Sequence, residues 1–176
     1  MSETQALNQY QYNPWMRLMH WGSGVLFLFN LFLGILLANT KYLQGSAFNT
    51  PLHKSFGLLV FFLVILRIIV RTFSNLPKDI ESLTPFFRLA SKVVHFCLYG
   101  LLVAIPTCGW LMSSLGGRTP SFFGLFNMPN LVGVNKELGG LFYQGHMILS
   151  YCALALVGMH IVGTFIHKEN ILKRML

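Results

Sequence analysis

Acidic side chains are scarce in this chain. It has five, Glu3, Asp79, Glu81, Glu137 and Glu169, against 13 lysines and arginines in 176 residues. Charged residues make up 10% of the sequence, whereas a soluble domain carries about 25%. None of the five acids lies inside a long apolar run. That excludes a di-iron carboxylate centre, which needs glutamates and Glu-x-x-His pairs in a helical core. Cysteine is also sparse. Cys97, Cys108 and Cys152 all sit within apolar runs, with no C-x-x-C spacing. No disulfide framework is signalled, and small buried apolar residues are the expected role. Nor do the +8 charges form a nucleic-acid patch, because they are scattered between apolar segments. They read as the loops of a membrane protein.

Apolar residues are what the chain has in quantity, at 54%. Four runs are long enough to cross a bilayer, about 17–39, 52–73, 89–114 and 141–167. Each has about 20 residues or more, as a hydrocarbon core of roughly 30 Å requires. No fifth run, internal repeat or separate soluble domain is visible, so residues 1–176 read as one transmembrane domain. The opening "MSETQALNQYQYNPW" lacks a basic n-region, and no A-x-A site follows the first run. That run is expected to stay in the membrane.

Lysine and arginine set the direction. One side would hold Arg17, Arg71, Lys78, Arg88, Lys92, Lys168, Lys173 and Arg174. The other would hold Lys41, Lys54, Arg118 and Lys136. The richer side is expected to be cytoplasmic, which puts both termini inside. The long connection 115–140 contains "PSFFGLFNMPNLVG". Too short and proline-broken to span, it is expected to fold as an interfacial flap over the outer mouth.

Histidine is the unexpected residue in these runs. The fourth run, "GHMILSYCALALVGMHIVGTFIH", carries His146, His160 and His167. Fourteen helical residues rotate by about 1,400°, leaving His146 and His160 about 40° from eclipsed and roughly 21 Å apart along the axis. Ser150, Ala153 and Val157 lie between them on that face and leave a groove beside each ring. Ionisable groups at membrane depth point to function. Partners stand in the first two runs: His20 in "MHWGSG" and His53 in "LHKSFG", each followed four residues on by glycine, Gly24 and Gly57.

Chain direction pairs these rings. His20 and His160 belong near the inner surface, and His53 and His146 near the outer one. Each pair can supply two axial nitrogens to one iron. Two bis-histidine haems would then stack across the bilayer, roughly 20 Å apart by the helix rise. His95, near the inner end of the third run, competes with His20 as the inner ligand. Zinc fits less well, because it prefers four close-set ligands. Paired imidazoles in apolar surroundings suit haem. No C-x-x-C-H occurs, so covalent attachment is not expected.

These residues resemble the bacterial cytochrome b-561 family, related to the cytochrome b subunits of nickel hydrogenase and formate dehydrogenase. The likeness rests on four spans, "HW" early in the first, H-x-x-x-G early in the second, and two histidines 14 apart in the fourth. It runs from about Pro14 to Leu176, ending in "HKENILKRML". The resemblance implies an all-α, four-helix bundle in the bacterial inner membrane with two b-type haems. It implies axial ligands His20 with His160 and His53 with His146, and a non-ligand role for His95. Small members are similar to a superoxide oxidase, which takes electrons from superoxide outside and reduces ubiquinone near the inner face. Matching quinone contacts here are His95, His167 and Lys78.

Arg67 and Arg71, one turn apart near the inner end of the second run, suit a clamp on a haem propionate. They equally suit snorkelling at the interface. Lys54, Lys41 and Arg118 would draw an anionic donor to the outer face. Two functions compete. One is a self-contained oxidoreductase passing electrons from a small donor to quinone. The other is a non-enzymatic anchor and electron conduit for a periplasmic redox partner. The weakly charged 115–140 loop favours a small donor.

Overall fold

A computed structural model describes residues 11–40, 49–77, 83–166 and 172–175. Four helices dominate it: α1 (Pro14–Asn39), α2 (Asn49–Phe73), α3 (Pro85–Leu115) and α4 (Lys136–Ile166). All four are long and apolar enough to cross a membrane. Each starts before its apolar run. At α1 the Asn13 side chain accepts from Trp15 N at 2.9 Å, and Pro14 takes the first helical position. Thr84 and Pro85 repeat this at α3, and Asn135 Oδ1 accepts from Leu138 N at 3.0 Å at α4. A capping oxygen satisfies an orphan amide, and proline has no amide to leave unpaired. Such residues belong to the polar margin of a membrane, where an apolar-run criterion is blind.

The helices form a bundle in which α1 packs on α2, α2 on α3, and α3 on α4. Its core joins Phe27 and Leu31 of α1, Val60 and Val64 of α2, Ile105 of α3 and Ala153 of α4. Each helix buries only a narrow stripe. Large apolar side chains such as Phe32, Leu66, Phe96 and Val162 face outward, as expected where the surroundings are hydrocarbon. The cysteines depart from the buried role expected of them: Cys97 and Cys108 are half-buried, and Cys152 is exposed on the outward face.

Both described ends of the chain meet at one end of the bundle. Trp21 Nε1 donates to Met175 O at 2.9 Å, and Tyr12 N donates to Arg174 O at 3.1 Å. The opposite end is covered by the 115–140 connection. There β1 (Ser121–Phe122) pairs antiparallel with β2 (Phe126–Asn127). The turn between them uses left-handed backbone at Phe123 (φ 50°) and Gly124 (φ 73°). Buried Ser55 of α2 clamps this hairpin. Its Oγ accepts from Phe123 N at 2.9 Å and lies 3.0 Å from Ser121 O. Phe123 stacks edge-on against Phe56, which meets Phe29 in turn.

Candidate cofactor sites in the bundle

The bundle brings the histidines together in two groups. At the hairpin end, His53 of α2 and His146 of α4 have ring centroids 6.1 Å apart. At the terminal end, His20 of α1 and His160 of α4 are also 6.1 Å apart. Two imidazoles on opposite sides of one metal, with each nitrogen at about 2.0–2.1 Å, have centroids roughly 6 Å apart. Both pairs match that spacing. His95 of α3 lies 5.1 Å from His160, edge-on, too close for two opposed ligands of one metal. Among the described residues no three His, Cys, Asp or Glu side chains converge on one point for a metal ion.

A cavity of about 310 Å³ contains the hairpin-end pair and is walled mainly by apolar side chains. Glycines make room for the rings. A Cβ on Gly34 of α1 would lie 2.9 Å from His53 Cε1, and one on Gly109 of α3 would lie 3.3 Å from His146 Cε1. His146 Nδ1 therefore reaches the main chain of α3 and donates to Ile105 O at 2.9 Å. A carbonyl only accepts, so Nδ1 carries the hydrogen and Nε2 keeps its lone pair for a ligand. Asn30 of α1, buried, lies against the other ring. The surrounding donors and acceptors assign its amide orientation: with the nitrogen facing His53, Nδ2 donates to His53 O at 3.0 Å and stands 3.0 Å from His53 Nδ1, while Oδ1 accepts from Gly57 N at 3.2 Å. A Cβ on Gly57 would meet that amide at 3.4 Å. Gly57 is thus the site of close approach, whereas Gly24 faces open space.

Around the terminal-end pair, polar groups lack partners. His20 Nδ1, Arg67 Nε and Tyr99 Oη are buried without a hydrogen bond. Arg67, only 9% exposed, sits over the Tyr99 ring at 5.1 Å, and Arg71 lies over the same ring at 5.9 Å. His95 Nδ1 donates to Ser91 O at 2.6 Å. These residues fit a flat macrocycle with polar edges. Imidazoles pair at a spacing that suits one metal between them, apolar side chains line the hairpin-end cavity, and buried polar atoms without partners gather at the terminal-end pair.

Lys54 stands in the wall of the hairpin-end cavity, within electrostatic range of Arg118. Lys41, Lys78 and His167 lie outside the described residues. Gly34, Gly109, Asn30 and Tyr99 carry no sequence signal of their own. They stand out only once the facing helices are known.

Residues 11–176 match the family described as prokaryotic cytochrome b561. The chain is 33% identical to cytochrome b561 homolog 2 of Escherichia coli (strain K12) over 165 residues, covering 89% of this chain and 86% of that one. It is 26% identical over 129 residues to a probable superoxide oxidase, CybB, of Yersinia pestis, covering 71% and 73%. With cytochrome b561 homolog 1 of Escherichia coli (strain K12) the identity is 26% over 128 residues, covering 70% and 72%.

Proposed function

Because this chain belongs to the prokaryotic cytochrome b561 family, membrane cytochromes that bind haem b, we propose that it is a di-haem superoxide:ubiquinone oxidoreductase of the bacterial inner membrane. The observation that carries this reading is the pair of imidazoles at each end of the bundle, each with centroids 6.1 Å apart. Residues 1–176 form one domain in this reading. The terminal end faces the cytoplasm, because Arg17, Arg71, Arg88, Lys92, Lys173 and Arg174 gather there.

His53 and His146 would hold the outer haem, and His20 and His160 the inner one. Haem b, when bound, supplies a one-electron redox centre at each position. Ile105 O fixes the tautomer of His146, and Asn30 braces the helix turn that carries His53. Arg67 and Arg71 would supply the positive charge for a propionate of the inner haem. At the outer mouth, Lys54 and Arg118 draw in the anionic donor; Glu137 is the only acid among the described residues. Two superoxide ions each lose one electron and leave as dioxygen. One ubiquinone gains both electrons, takes two protons from cytoplasmic water and leaves as ubiquinol. His95, His167 and Lys78 serve the quinone side. A histidine titrating near neutral pH suits the proton supply.

The conduit reading requires a broad outer platform for a partner protein. The hairpin is instead drawn down onto α2 by Ser55, which favours a small donor. Stopped-flow mixing of the oxidised protein with superoxide tests the proposal. Rapid haem reduction, reversed by added ubiquinone, is expected. Haem that stays oxidised under superoxide but is reduced by a protein donor would overturn it.

A further inference from the structure

Two arginines and one tyrosine stand together beside the inner histidines, with no acidic side chain among the described residues near them. Arg67 and Arg71 are one turn apart on α2, and both guanidinium groups lie over the face of Tyr99. Tyr99 is one turn beyond His95 on α3, so the two share a helix face. Arg67 acts electrostatically on His20, His95 and His160. Among the described residues no carboxylate pairs with either arginine, the only acid being Glu137 at the far end of α4. Neither Arg67 Nε nor Tyr99 Oη, both buried, has a partner within hydrogen-bonding distance, although the Tyr99 hydroxyl acts on the Arg67 guanidinium electrostatically.

A buried guanidinium without a counter-charge is unfavourable, and a buried hydroxyl without an acceptor adds to the cost. Stacking on an aromatic face offsets part of this, but it uses none of the N–H or O–H donors. The unmet requirement is therefore negative charge together with acceptor lone pairs. A carboxylate supplies both, matching the guanidinium fork with two oxygens and taking a further bond from a phenol. A neutral carbonyl supplies acceptors but leaves two cations uncompensated.

We propose that Tyr99 completes, with Arg67 and Arg71, a carboxylate-binding subsite, and that its occupant is a propionate of the inner haem. The inference rests on the di-haem reading above. In it, Tyr99 has two tasks. Its ring holds both guanidinium groups in place before the macrocycle arrives, and its hydroxyl donates to the carboxylate. Tyr99 is the member of this subsite that the arginine spacing alone does not reveal. Holding the propionate charge close to three donors should favour the reduced, less positive haem.

The test uses purified holoprotein carrying Tyr99→Phe or Tyr99→Leu. Haem per chain is measured first, then both midpoints by spectroelectrochemical titration, then carboxylate bands by redox difference infrared spectroscopy. Tyr99→Phe keeps the stacking face and the fold. It should keep two haems, shift the inner haem about threefold towards its oxidised form and move a carboxylate band. Tyr99→Leu also removes the face and should shift it about tenfold, or about 59 mV for one electron. The outer midpoint should stay put in both. Unmoved midpoints and bands at full haem content would overturn the subsite while leaving the di-haem reading intact. A shift that appears only with added quinone would also overturn it, by making the occupant a quinone carbonyl. An unmutated protein with fewer than two haems sinks the underlying reading, and the subsite with it.

Discussion

His146 Nδ1 donates to the carbonyl of Ile105 across the α3–α4 interface, at 2.9 Å. The contact is possible because Gly109, the residue one helical turn beyond Ile105, has no side chain where the ring lies. Gly34 performs the same service for His53 from α1. The outer rings are thus placed by helices that carry none of the outer histidines.

Gly34→Ala should therefore damage the outer site without touching a ligand. Its methyl would stand 2.9 Å from His53 Cε1, inside van der Waals contact. The ring must move, and haem content should fall from two per chain towards one. Gly158→Ala, where a methyl meets nothing within 4 Å, should leave the content at two. Pyridine haemochrome assays on both variants check this, and two haems in Gly34→Ala would show that the ring has another resting place.

Removing single histidines should separate the two sites. His53→Ala or His146→Ala should damage the outer haem, and His20→Ala or His160→Ala the inner one. His95→Ala should leave both haems low-spin, because its 5.1 Å spacing from His160 is too short for opposed ligation. Carbon monoxide difference spectra give the readout. A carbon-monoxide-binding haem in His95→Ala, absent in His20→Ala, would exchange the two assignments.

Ser55→Ala should loosen the hairpin. Its Oγ is the acceptor for Phe123 N, and losing such a part-buried hydrogen bond costs about 0.5–1.5 kcal/mol. Limited proteolysis in the 116–135 segment should accelerate, while haem content holds. Unchanged cleavage would mean that the Phe56–Phe123 ring contact anchors the hairpin by itself.

His167→Ala tests the inner acceptor site. It should preserve both haem spectra and slow reoxidation by added ubiquinone at least roughly tenfold, a barrier change of about 1.4 kcal/mol. Reoxidation at the original rate would remove His167 from the reaction and turn attention to His95 and Lys78.

Much of this was legible in the residues. A bilayer imposes apolar runs of a minimum length, so the four helices could be read directly from the chain. Imidazole is so costly in such a run that His20, His53, His146 and His160 stand out. Direction along the membrane then placed His53 beside His146 and either His20 or His95 beside His160, and the rings meet accordingly, with both His20 and His95 next to His160. Helix starts were read late, because Asn13, Thr84 and Asn135 act through capping geometry rather than hydropathy. Asn30, Gly34, Gly109 and Tyr99 could not be read at all. Each matters for what it faces on another helix, and helix rotation follows from packing that the chain does not spell out locally.

Both imidazole pairs take one member from α4, the fourth of the long helices in chain order. His20 leaves the ribosome 140 residues before His160, and His53 precedes His146 by 93. A chain ending after α3 has neither pair. Until α4 is inserted the chain therefore presents neither pair, and that one helix completes both. Competence to bring either pair together thus waits on the insertion of α4.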